Sequence, residues 1–356
     1  MTLKQIPIIA VGVGNVGGEF LRQMLDTRTA FAERYNVKLQ PVALVDLGGA
    51  IFNQAGISDA NLLAALLARQ NGQLLDEQPD FQAGMSALDA VNAAANLTPV
   101  ITVDTTAADG MEAALLRALN LDGGIVLANK RPVAVEWSIA RRIFASPRAH
   151  FEATVCAGVP VLHTLRYLVD VGDAAQHITG SMSGTLGYLC SRLEKGDPFS
   201  VIVQEAKAAG YTEPDPRDDL SGTDVARKAL ILARLAGWPL EMADLSVQAL
   251  YPDHMSNLSV AEFMAALPEL DEEFAAYSQM DGAPRYMAAV TAEGGSVGIQ
   301  AVDAATAAQL SGTLNVVTLQ TDRYDTYPLS LSGPGAGVPV TAAGVLQDCL
   351  ALAREM

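Results

Sequence analysis

Asp224 and Lys228 stand four residues apart and head a stripe that continues as Ile231, Leu232 and Leu235. On a helix, residues four apart share one face. A charged pair in line with an apolar stripe points inward, toward a cleft; on a solvated face it would be a surface salt bridge of small energetic value. An inward amine can deliver a proton to a developing alkoxide, and a carboxylate beside it can hold a cationic group. Just upstream, Pro214 and Pro216 fix their own φ and restrict the residues before them, so Glu213 and Asp215 are expected on a rigid extended loop. Ser221 or Thr223 is expected to cap the helix that follows, and Gly237 with Pro239 to end it.

A second set lies near the amino terminus. Gly12, Gly14 and Gly17 form G-x-G-x-x-G, enclosing Asn15 and Val16, directly after the apolar run Ile6 to Val11 and at the opening of a helical stretch. Such glycines let the backbone turn tightly and approach a pyrophosphate, which then sits at the positive end of the helix. Three glycines alone could be a tight turn; the strand before and the helix after favour a dinucleotide. Asp46 ends a second apolar run, Val42 to Val45, where an acid can accept from the adenosine ribose and repel a 2′-phosphate, or can merely cap the next segment. "DLGGAIFNQ" carries no Arg or Lys after the acid, so the reading leans to NAD over NADP. Lys130 follows the apolar run Ile125 to Ala128. The position just beyond a strand is where such sheets place function, although a surface Lys opening a helix would look the same.

The elements that must position these residues alternate. Val100 to Val103 and Ile125 to Ala128 are separated by the helical stretch Met111 to Leu119, and Leu62 to Ala68 reads as a further helix. That alternation implies a Rossmann-type, doubly wound parallel sheet, an α/β fold, over residues 1–151. "FEATVCAGVPVLHTL" reads as a strand leading through a glycine-proline turn into a helix, and the boundary is placed there. Residues 152–332 read as a second, α+β domain for substrate and dimerisation, with alternating runs at Met287 to Ala292, Val297 to Ala301 and Val316 to Gln320. Residues 333–356 read as a glycine-rich loop and a helix returning to the first domain.

Composition limits the partners. With 23 Lys and Arg against 40 Asp and Glu in 356 residues, the chain lacks the basic face that a nucleic acid or an anionic membrane requires. No run approaches the roughly 20 apolar residues that span a bilayer. Cys156, Cys190 and Cys349 are few and widely spaced, as in a reducing compartment, so a cytoplasmic enzyme acting on a small molecule is expected.

"GYTEPDPRDDLSGTDVARK" resembles the signature region of homoserine dehydrogenases, and "FEATVCAGVPVL", "GSMSGTLGYL", "ANKRPVA" and "GPGAGVPVTAAGVL" resemble other blocks of that family across nearly the whole chain. The resemblance implies NAD(P)-dependent interconversion of L-aspartate 4-semialdehyde and L-homoserine, in threonine, methionine and isoleucine biosynthesis. It implies Lys228 as proton donor, Lys130 near nicotinamide and substrate, and Glu213 with Asp224 on the substrate's ammonium and hydroxyl end. Thr106, Gly210 and Gly337 match further cofactor-contacting positions; Glu152 with the carbonyls of Val155, Ala157 and Val159 resembles the family's monovalent-cation site, suited to sodium. A homodimer is implied, and a monofunctional form without kinase or ACT module. Cys156 departs from the family's usual glycine and would bend the backbone differently if that residue needs φ > 0.

Two rival readings remain at this level. Cys156 could be the thiol nucleophile of a semialdehyde-oxidising dehydrogenase, although a small buried residue is the plainer account of it. Alternatively, the chain could be a non-catalytic dinucleotide sensor, against which the Glu213, Asp224 and Lys228 set argues.

Overall fold

The computed structural model describes residues 3–97, 99–310 and 313–356. They form two compact units, one of residues 1–158 with 336–356 and one of residues 159–335.

The first unit is built on seven strands: β1 (Lys4–Val11), β2 (Val37–Asp46), β3 (Gly49–Phe52), β4 (Phe81–Ala83), β5 (Ile101–Asp104), β6 (Gly124–Leu127) and β7 (Ala149–His150). Their order is β4-β3-β2-β1-β5-β6-β7. From β2 to β7 neighbouring strands are parallel, whereas β3 and β4 add an antiparallel edge. The central strands read as continuous apolar runs because both faces are covered: Ile8, Ile101, Val103, Ile125 and Val126 are buried. The helix Asn15–Tyr35 covers one side through Phe20, Leu21 and Met24, and the terminal helix Val338–Glu355 enters the same core through Val345, Cys349 and Leu352. The helix expected over Leu62 to Ala68 is Asp59–Gln70.

The strand expected from Phe151 onward is not there. Beyond His150 the chain makes a single 3₁₀ turn, Glu152–Thr154, in which Thr154 N–H and its hydroxyl both donate to the Phe151 carbonyl at 3.0 and 2.6 Å. Glu152 N–H donates to the buried Asp348 carboxylate at 2.9 Å, which ties this turn to the terminal helix. That tie keeps the segment with the first unit as far as Gly158.

The second unit has a six-stranded sheet, in the order β13-β12-β8-β10-β11-β9. Its strands are β8 (Ala175–Ser181), β9 (Leu245–Val247), β10 (Ala283–Thr291), β11 (Gly294–Val302), β12 (Leu314–Thr321) and β13 (Leu329–Pro334). All pairings are antiparallel except β9 with β11. The helices Gly184–Leu193 and Thr223–Leu235 pack on β10, burying Leu186, Leu189, Ala229 and Leu230. Among the described residues no helix is long and apolar enough to cross a membrane.

Candidate active site

In the second unit the catalytic-type residues gather at the start of the helix Thr223–Leu235. Its first residue is preceded by Gly222 in the left-handed conformation, φ +69°, and not by a capping Ser or Thr side chain. The reason is tertiary: a Cβ at Gly222 would meet the Tyr286 hydroxyl at 2.0 Å, and that hydroxyl is fixed by donating to the Gln248 carbonyl at 2.6 Å. Ser221 still accepts from Thr223 N–H at 3.2 Å, so it shapes the turn before the helix.

Lys228 is 7% exposed and points inward. Its ammonium lies 2.7 Å from an Asp224 carboxylate oxygen and donates to the Met182 carbonyl at 2.6 Å. Met182 follows β8 directly, so the sheet holds the amine from one side and the helix from the other. Asp224 is half-exposed, which leaves the pair open to a ligand on that side.

The loop before the helix is rigid, as its prolines imply, but Asp215 has a different task from Glu213. Asp215 caps the short helix Pro216–Leu220, accepting from Arg217 N–H at 3.0 Å and pairing with the Arg217 guanidinium at 2.7 Å. That guanidinium holds the Asp215 carboxyl below its ordinary value. It also donates to the carbonyls of Met255, Ser256 and Leu258, so Arg217 clamps the loop to the turn over 255–258. Glu213 remains exposed, and its N–H donates to Asp219 at 2.8 Å. Asp219 is the residue that sequence reasoning passed over. Burial pushes its carboxyl above the ordinary aspartate value, with the charges of Glu213 and Asp224 acting in the same direction. A partly buried acid with two further carboxylates acting on it is a site suited to a cation. In the sequence it is one of several acids in "PRDDL", and only its burial distinguishes it.

In the first unit the glycines perform separable tasks. Gly12, φ +85°, turns the chain where a Cβ would press on the Thr106 methyl at 2.8 Å. A Cβ on Gly17 would lie 1.9 Å from the Gly12 carbonyl oxygen. Gly14 has no atom within 4 Å of where its Cβ would be and stands before the helix Asn15–Tyr35 without a side-chain cap. The helix therefore presents free amide groups at Asn15, Val16 and Gly17 to an anion. Asp46 closes one side of the loop, accepting from Val13 N–H at 3.2 Å and Leu47 N–H at 2.8 Å.

The other side of the loop is set by β5 and β6. Thr105 donates to the Gly12 carbonyl at 2.7 Å. Asp104 is fully buried and accepts from Thr106 N–H at 2.9 Å, the Thr106 hydroxyl at 2.7 Å and Asn129 Nδ2 at 3.0 Å. Asn129 in turn accepts from Arg131 N–H at 3.1 Å and thereby sets the start of the helix Arg131–Ala134, for which Lys130 is the cap. Asp104 thus orients both Thr106 and the turn that carries Lys130. Replacing Asp104 with Asn keeps the shape but sets an amide donor against Asn129 Nδ2 in one orientation and against Thr106 N–H in the other. It is expected to cost about 1–3 kcal/mol, checked by urea unfolding.

Gly210 and Gly337 are both in positive φ, +71° and +128°, with open space where a Cβ would be. Glu152, Val155 and Ala157 lie buried in the first unit, and Val159 opens the second. Cys156 does take the left-handed conformation that a glycine would favour, φ +56°, followed by Ala157 at +57°. Its thiol is buried at 1% exposure, which removes it from any substrate approaching through solvent.

Residues 160–350 match the family model described as homoserine dehydrogenase. A Paracoccidioides brasiliensis homoserine dehydrogenase is 33% identical over the whole of both chains. The chain belongs to the homoserine dehydrogenase family. Homoserine dehydrogenases are oxidoreductases, and the rival thiol-dependent and sensor readings find no support. A chloroplastic bifunctional aspartokinase/homoserine dehydrogenase 2 of Zea mays is 36% identical over 97% of this chain, which spans 38% of that relative's length. Among solved structures, a Candida auris protein of unknown function superimposes with a TM-score of 0.85 at 31% identity, covering 98% of each chain. A hyperthermophilic archaeal homoserine dehydrogenase solved with NADPH shares the fold, with a TM-score of 0.75 at 22% identity over 99% of this chain and 98% of that one.

Proposed function

We propose that this homoserine dehydrogenase interconverts L-aspartate 4-semialdehyde and L-homoserine with NAD(P), as a step toward threonine, methionine and isoleucine. The observation that carries the reading is the buried Lys228 ammonium, held by Asp224 and the Met182 carbonyl, with the charges of Asp224 and Glu213 both acting on the partly buried Asp219. The first unit would hold the dinucleotide: its pyrophosphate at the Gly12 to Gly17 turn, its adenosine ribose at Asp46, and Thr106, Lys130 and Gly337 further along it; Gly210, which the family resemblance also gives as a cofactor-contacting position, belongs to the second unit. The bare helix start and the open Gly14 fit that group. When bound, the reduced nicotinamide supplies a hydride to the aldehyde carbon.

The residues of the second unit carry the rest. Glu213, Asp219 and Asp224 offer negative charge to the substrate's ammonium. Lys228 donates its proton to the carbonyl oxygen as that oxygen becomes an alkoxide, and in the reverse direction takes the hydroxyl proton back. A proton and a hydride together convert the aldehyde to the alcohol, so the balance needs no further oxidant or base. The test is the loss of NADH or NADPH absorbance on adding the semialdehyde; no loss with either cofactor would overturn the reading.

Cys156→Ala is expected to retain turnover within about 3-fold, since the thiol lies outside the chemistry and the change is a small-volume one. A collapse of the steady-state rate in a folded variant would restore the thiol mechanism. A sodium ion at Glu152 with the carbonyls of Val155 and Ala157 is the corresponding proposal for the left-handed turn at 156–157. It expects sodium, against choline at equal ionic strength, to raise the melting temperature of the chain. A homodimer is expected in sedimentation, in a cytoplasmic setting; a monomer at micromolar concentration would contradict it.

A further inference from the structure

The pocket proposed for the adenosine ribose contains a cation that the local sequence does not announce. After Asp46 the chain runs "LGGAIFNQ" without a basic residue, but the helix Asp59–Gln70 brings Arg69, in its last turn, back to the end of β2. The Arg69 Nε lies 2.9 Å from Asp46 Oδ2, with both side chains largely buried at 18% and 11% exposure. Its Nη1 donates to the Gln73 carbonyl at 2.6 Å, which fixes one edge of the guanidinium. The carboxylate itself is tethered to Val13 and Leu47 amides, so neither partner is a loose surface group. Beside them Gly48, φ +84°, leaves open space where a side chain would stand.

We propose that Arg69 makes this ribose pocket accept a 2′-phosphate, so that the chain takes NADPH through Arg69 and NADH through Asp46. The inference rests on the nucleotide-binding reading of the first unit. An isolated Asp46 would repel a dianionic 2′-phosphate, and that repulsion is what ordinarily excludes NADP. Here the guanidinium cancels the charge of Asp46. It also offers a planar fork whose geometry matches phosphate oxygens, at a site screened from bulk water. With a 2′-hydroxyl the Asp46–Arg69 pair stays closed and the carboxylate accepts from the ribose. With a 2′-phosphate the guanidinium stays beside Asp46, so the carboxylate charge remains cancelled, and its remaining N–H groups donate to the phosphate oxygens.

The experiment is calorimetric titration of the unliganded chain with 5′-AMP and with 2′,5′-ADP, which differ by the phosphate alone. The unaltered protein should bind both. Arg69→Gln should weaken 2′,5′-ADP by about 10- to 100-fold, the worth of a hydrogen bond to a charged group. It should move 5′-AMP by less than about 3-fold, and Arg69→Lys should recover part of the loss, since charge survives without the fork. Asp46→Asn should act in the opposite sense, weakening 5′-AMP and sparing 2′,5′-ADP. Equal weakening of both fragments by Arg69→Gln, in a variant that still melts cooperatively, would overturn the proposal. Binding of 5′-AMP without 2′,5′-ADP by the unaltered protein would do so too, leaving the nucleotide reading intact. Failure of both fragments to bind would sink that reading and this proposal together.

Discussion

Lys228→Met is expected to lower kcat by about 10²- to 10⁴-fold, the range general acid catalysis contributes, while dinucleotide affinity stays unchanged. Methionine keeps an unbranched apolar stem, one atom shorter than that of lysine, but has no proton to give. The geometry makes this separation testable. Lys228 sits in the second unit against Asp224 and the Met182 carbonyl, whereas the glycine turn belongs to the first. Steady-state rates in both directions, set beside NADPH binding followed by fluorescence, provide the two readouts. An unchanged kcat would remove Lys228 from the mechanism. Loss of cofactor binding together with rate would point to a structural role. Removing the amine also leaves the Met182 carbonyl and Asp224 without their shared donor. Some loss of stability should therefore accompany the loss of rate, of about 1–3 kcal/mol for a buried group left unsatisfied.

Gly17→Ala should abolish dinucleotide binding by a different route. The added methyl would lie 1.9 Å from the Gly12 carbonyl oxygen and 2.5 Å from the Thr105 hydroxyl oxygen, and the first of these is backbone. Nothing there can rotate away, so the turn must open or the helix Asn15–Tyr35 must shift along its axis. Overpacking of this kind costs about 1–3 kcal/mol in stability. The larger effect is on function, because the amides of Asn15, Val16 and Gly17 lose their common aim. NAD(P)H affinity is expected to fall by more than about 100-fold, or roughly 2.7 kcal/mol. Gly14→Ala is the control: open space surrounds that position in the unliganded chain, so it should fold normally and weaken binding only by the methyl's own bulk against the ligand. Similar melting temperatures and similar affinities for the two variants would contradict this assignment of tasks.

Much of this protein was legible in its sequence for one reason: periodicity and glycine spacing are local properties. The runs Ile6 to Val11, Val100 to Val103 and Ile125 to Ala128 became β1, β5 and β6 because an apolar run between helical stretches has no lower-energy place than the middle of a covered parallel sheet. The i,i+4 spacing of Asp224 and Lys228 predicted their pairing, and the apolar continuation of the stripe predicted that the amine faces inward. What tertiary structure alone decided was which polar residues are shielded from water and which distant groups meet. Nothing in "PRDDL" separates Asp219 from Asp218, but one is partly buried beside two other acids and the other is exposed. The helix expected to start on a hydroxyl cap starts on Gly222, because Tyr286 from another strand occupies the space a side chain would need. Asp104 became the organiser of Thr106 and Asn129, and Arg69 the partner of Asp46, through contacts between elements far apart in the chain. Desolvation and charge pairing depend on which elements share a neighbourhood, and no window of sequence contains that neighbourhood.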